Sequence, residues 1–144
     1  MARRLLALAQ LLFSTLASAC CIPFSEVLIE ESEQAWQEAF SAPVPTNVVL
    51  LHGQYWRGMH WSGEHSWFFS MEPNKTFFED FVSYNRLVEQ VEPDAMRQVQ
   101  LDMLFAPPAW FAPPGPAYQI WRSEDIFVIR DIDQGTIFLH GGSL

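Results

Sequence analysis

Residues 106–116, Ala-Pro-Pro-Ala-Trp-Phe-Ala-Pro-Pro-Gly-Pro, carry five prolines in eleven positions. Proline fixes φ, lacks a backbone N–H, and clashes with the preceding turn inside a helix. Neither a helix nor an interior strand can run through such a stretch. It reads as a stiff, extended connection that divides the chain into two sets of elements. The first set mixes helical and strand periods, and the second reads as strands alone.

Before the division, helical spacing comes first. Leu28, Ala35, Trp36, Ala39 and Phe40 predict a helix over 25–40, frayed at its start, with Ser25 as N-cap. A strand follows over 48–57, and Ser62-Gly63 marks a turn. Trp67, Phe69 and Met71 then alternate with Ser66, Ser70 and Glu72, the period of a half-buried strand. The pair reads as a hairpin. A second helix is predicted over 76–91, from a Thr76/Glu79 capping box and a stripe of Phe77, Phe81, Tyr84, Val88 and Val91. Residues 94–105 fit either period, with a short helix favoured. After the division, Tyr118 to His140 reads as three short strands, separated at Ser123–Asp125 and at Asp131–Gly135. The expected fold is α+β: a small antiparallel sheet, hairpin plus C-terminal meander, packed with one or two helices on one face.

The N-terminus reads as an address. Arg3 and Arg4 precede an apolar run from Leu5 to Leu16, and Ala17-Ser18-Ala19 gives the small-x-small pattern of a signal peptidase site. The run is shorter than the roughly 20 residues a spanning helix needs. Residues 1–19 are therefore expected to be a secretory signal, and 20–144 one domain. Ala17-Ser18-Ala19-Cys20 resembles the lipobox of bacterial lipoproteins. It differs at one place, Ala17, where that family prefers Leu. The resemblance implies acylation of Cys20, removal of the signal before it, and a lipid anchor in a membrane. Cys21 in place of Asp implies sorting to the outer rather than the inner membrane. Ordinary cleavage at the same site would leave a soluble secreted or periplasmic protein. A Cys20–Cys21 disulfide is disfavoured, because adjacent Cα atoms lie about 3.8 Å apart and a disulfide needs roughly 4.4 Å or more.

Charge narrows the partners. Residues 20–144 hold six basic and seventeen acidic side chains, a net charge of −11. Nucleic acid is excluded as an expected partner, since phosphate binding needs clustered Lys and Arg. A basic protein would be steered towards such a domain.

Catalytic and metal motifs fail on spacing. His60, Glu64 and His65 match neither helical zinc pattern and flank a turn signal, so with His52 and His140 they read as ordinary turn and strand histidines. Asp131 and Asp133 start like a calcium loop. The required Gly and Glu positions hold Thr136 and Gly142, so a hairpin turn explains them. The acid pairs Glu79-Asp80 and Glu124-Asp125 suggest acid–base work on sugars only if their carboxylates converge. No cofactor is expected.

Residues 55–69 are dense in aromatics: Tyr55, Trp56, Trp61, Trp67, Phe68 and Phe69. Most are expected in the core, with Trp110 and Phe111 as a lid. If Trp67 and Phe69 face inward, Phe68 faces a second layer or solvent. Trp61 and Phe68, with Arg57 nearby, are the candidate interaction residues. The expected function is a non-catalytic envelope lipoprotein that binds another, basic, protein. The alternatives are a module for a small apolar or glycan ligand, or a hydrolase of envelope polymers.

Overall fold

A computed structural model describes residues 25–59, 63–91, 106–112 and 117–143. Its frame is one antiparallel sheet of seven strands in the order β1-β2-β3-β7-β6-β5-β4. The strands are β1 (Val27–Ile29), β2 (Leu50–Arg57), β3 (His65–Met71), β4 (Val88–Gln90), β5 (Tyr118–Arg122), β6 (Ile126–Asp131) and β7 (Ile137–Ser143). Two helices, α1 (Ser32–Phe40) and α2 (Lys75–Tyr84), complete it. The α+β class expected from the sequence is therefore correct.

The first helix begins later than its periodicity suggests. Val27–Ile29 instead pairs with Tyr55–Arg57 as an edge strand. Glu31, not Ser25, caps α1: its carboxylate accepts from the backbone N–H of Glu33 and Gln34, at 3.2 and 2.7 Å. A carboxylate there satisfies orphan amides and opposes the positive end of the helix dipole. Ser41 closes the helix with φ 52°.

The second helix is shorter than expected at its far end. Asn74 rather than Thr76 caps it, accepting from the Phe77 N–H at 2.9 Å. At the other end Arg86 turns left-handed, with φ 53°. The Arg86 N–H donates to the Ser83 carbonyl at 3.2 Å and the Leu87 N–H to Val82 at 3.0 Å. These two bonds form a Schellman closure. The expected stripe therefore stops at Phe81. Tyr84, Val88 and Val91 are 89%, 64% and 84% exposed, and Val88 belongs to β4.

The hairpin and the meander agree with the sequence. Gly58 and Glu64 close the β2–β3 turn through Gly58 N–H to the Glu64 carbonyl, 3.0 Å. In the 131–136 turn, Asp131 Oδ1 accepts from the N–H of Asp133 and Gln134, both at 2.8 Å, and Gly135 takes φ 75°. The aspartate thus acts on backbone amides.

Strand β3 sits near the middle of the sheet and is buried on both faces. Trp67, Phe69 and Met71 face the helices, where they pack with Trp36, Phe78, Val128, Ile137 and Leu139. The opposite face holds Phe68, Ile120, Phe127, Ile129 and Phe138 under Phe111. Close packing reaches the backbone at Gly141, where a Cβ would stand 2.3 Å from Trp67 Cζ2. Residues 94–105 lie outside the described residues; β1 and β4 are added where helix was expected, and the other elements keep the expected order.

Candidate binding surfaces

The helix layer leaves an apolar groove between its two members. Trp36 and Phe40 lie one turn apart on α1, as do Phe77 and Phe81 on α2, so each helix presents an aromatic pair on one face. The pairs meet across the gap: Trp36–Phe77 centroids are 6.0 Å apart and Phe40–Phe81 6.4 Å. Pro43 and Pro45, which follow α1 and cannot extend it, form one wall. Tyr84 stands on the other. The groove encloses about 400 Å³. Among the described residues Asp80 is the charged residue that lines it, and no Lys or Arg does. Lys75, also on α2, pairs with Glu79 at 3.7 Å, an exposed contact of little energetic weight.

A smaller hollow of about 220 Å³ lies where α2 starts, with Lys75, Arg130 and Phe78 among its residues. The Arg130 guanidinium sits 5.5 Å over the Phe78 ring. That contact commits the cation to the aromatic face rather than leaving it bare.

The residues singled out from sequence fall in different places. Arg57 is exposed at the end of β2. Phe68 is corrected as an interaction residue: at 1% exposure it is core, stacked on His140 at 4.3 Å and capped edge-on by Phe111 at 5.0 Å. A second layer, not solvent, covers its face. Trp110 and Phe111 do act as a lid, Phe111 over Phe68 and Trp110 stacked on His52 at 5.1 Å. Trp61, His60, Cys20 and Cys21 lie outside the described residues.

The histidines are dispersed. His52 is exposed, and His65 is 2.9 Å from the Gly63 carbonyl and 3.2 Å from Ser143 Oγ. His140 is buried among rings, Phe127 at 4.6 Å besides Phe68, with Nδ1 donating to the Trp67 carbonyl at 2.9 Å. Burial pushes its pKa down to about 4, against the opposing pull of that carbonyl. Among the described residues no three His, Cys, Asp or Glu side chains gather as a metal site. Glu79 and Asp80 are exposed on α2, while Glu124 and Asp125 are exposed in the β5–β6 turn.

Sequence reasoning passed over the groove. Its signal was present as two aromatic pairs at i, i+4, Trp36/Phe40 before the prolines at 43 and 45 and Phe77/Phe81 after the β2–β3 hairpin. Each pair read alone as core, and only their juxtaposition makes a surface. No family model, curated protein or solved structure matches this chain.

Proposed function

We propose that this chain is a small exported lipoprotein, anchored through Cys20 on the periplasmic side of the outer membrane, that works without catalysis by holding another envelope protein. The observation that carries the reading is the groove between α1 and α2. Half-buried Phe40, Phe77 and Phe81 and exposed Tyr84 line it over a floor of buried Trp36, aromatic types that dominate interface energetics, and the lining is nearly all apolar. Its occupant is an apolar segment of a partner flanked by Lys or Arg. Charge selects that partner: among the described residues Asp80 is the charged side chain on the groove, and residues 20–144 carry −11. An acidic segment would meet repulsion from the whole domain.

The test uses a photo-crosslinking amino acid in place of Tyr84, which is 89% exposed and so tolerates replacement. Irradiation of intact envelopes should give one dominant partner, and sequencing of the crosslinked peptide should show apolar residues beside Lys or Arg. Asp80→Lys should reduce the crosslink several-fold while leaving the melting temperature unchanged. Crosslinks scattered over unrelated proteins would overturn the proposal. Adducts with lipid or glycan alone would replace it with a small-ligand module.

A further inference from the structure

The register of the first two strands places the start of the described chain at the end of the sheet where Arg57 of β2 pairs with His65 of β3. Val27 pairs with Arg57 and Ile29 with Tyr55. The pairing ends at Val27 and Arg57, so Ser25 and Glu26 lead away from this end of β2, next to which Gly58 and Met59 follow. A hydrogen bond from Trp56 Nε1 to the Glu26 carboxylate pins this end of the chain to β2. Along the same edge Leu28 is 54% exposed and Met59 is 57% exposed, and Arg57 is exposed between them in the pairing order. Leu28 lies on the Trp56 face and Arg57 on the Tyr55 face, so two apolar side chains and one long cation stand around the edge where the chain enters the sheet.

A lipid on Cys20 would hold that corner on a short leash. Cys20 and Ser25 are five residue steps apart, at most about 18 Å fully extended. A domain of this length is on the order of 35 Å across. The leash is half the width of the body it restrains, so the corner stays within reach of the headgroups while the opposite end of β3 need not.

We infer that the corner formed by Leu28, Arg57 and Met59 is a membrane-contact surface whose partner is the phospholipid surface in which the Cys20 lipid sits. The inference rests on the lipoprotein reading above. Leu28 enters the interface from the Trp56 face of the sheet edge and Met59 from beyond the end of β2, while Arg57, on the opposite face from Leu28, reaches lipid phosphate with its guanidinium. The net charge of −11 would repel an anionic surface, so the contact forms only because the anchor supplies a high local concentration. It fixes how the domain stands: the end of the sheet at Arg57 and His65 faces the bilayer, and the 131–136 turn points away. That turn is at the far end of the sheet, since Arg130 pairs with Ile137 and Ile137 with Met71.

The experiment takes the acylated mature product beginning at Cys20, reconstituted in phospholipid vesicles with part of the lipid nitroxide-labelled at the headgroup. In a Cys21→Ser background, a fluorophore is attached at Met59→Cys or, as the distal control, at Gln134→Cys. Both positions are exposed, so folding is not at stake. The label at 59 should be quenched several-fold more than that at 134, and Arg57→Glu should lessen the difference on anionic vesicles. Equal quenching at both positions, stronger quenching at 134, or indifference to Arg57→Glu overturns the surface while the lipoprotein reading stands. Intact mass of the same preparation tests that reading separately. A Cys20 without acyl chains removes the leash and overturns both.

Discussion

His140 shows how one buried side chain sets a pH limit on the whole domain. It lies on the sheet face away from the helices, 6% exposed, between Phe68 and Phe127. Its neutral form is satisfied by the Trp67 carbonyl, while its charged form would be stranded among rings. The folded pKa of about 4 lies below the unfolded value near 6.5. Above pH 6.5 both states are neutral and the residue contributes no pH dependence. As pH falls from 6.5 towards 4, the unfolded chain binds a proton that the folded one refuses, so stability is lost. Below about pH 4 the loss is complete, at about 3 kcal/mol. Urea unfolding measured between pH 7 and 4.5 should therefore fall more steeply for the natural protein than for His140→Phe, which cannot titrate. Parallel slopes would mean that the imidazole is not excluded from water. This role was hidden in the sequence, where His140 stood simply as the end of a strand. Alternation assigns it to a face, but only the lid at Phe111 makes that face dry.

Element boundaries follow from caps more than from periodicity. The apolar stripe of α2 continues in the sequence through Val88 and Val91, yet the helix ends because Arg86 turns left-handed. A β-carbon in that conformation costs about 1–2 kcal/mol, and glycine is the usual occupant of a Schellman closure. Arg86→Gly should remove most of that strain, offset by a larger unfolded-state entropy. The expected gain is about 0.5–1 kcal/mol, read as a higher urea midpoint at unchanged slope. A lower midpoint would mean that the Arg86 side chain holds the turn by some other contact. Without a glycine there, nothing local announced the stop. What was legible was local in its cause: β3 from Trp67/Phe69/Met71 alternation, and the meander from turn residues such as Asp131 and Gly135. What was illegible depended on distant partners. Val27–Ile29 is a strand because β2 offers it an open edge, not because of its own spacing. Phe68 is core because residues some forty positions later cover it. The groove needs α1 and α2 together, and no window of sequence contains both.

At the scale of the whole molecule, one sheet serves two cores. Strand β3 contributes Phe69 to the helix-side cluster and Phe68 to the opposite one, and both are at most 1% exposed. Neither cluster can lose its packing without disturbing the strand that backs the other. The cross-links that could modify this are few: the chain has two cysteines, adjacent at 20 and 21, so any bond between them closes no loop that constrains the unfolded state. Unfolding should accordingly be a single cooperative transition governed by the shared sheet. Near-UV circular dichroism, which reports the aromatic packing on both faces, should give the same thermal midpoint as the far-UV signal of the backbone. Adding a reductant should leave that midpoint unmoved. If the near-UV signal melts first, the lid of Trp110 and Phe111 is an independent layer and the two cores are uncoupled. If reductant lowers the midpoint, a cysteine is bonded to a second chain, and the folded unit is larger than one copy.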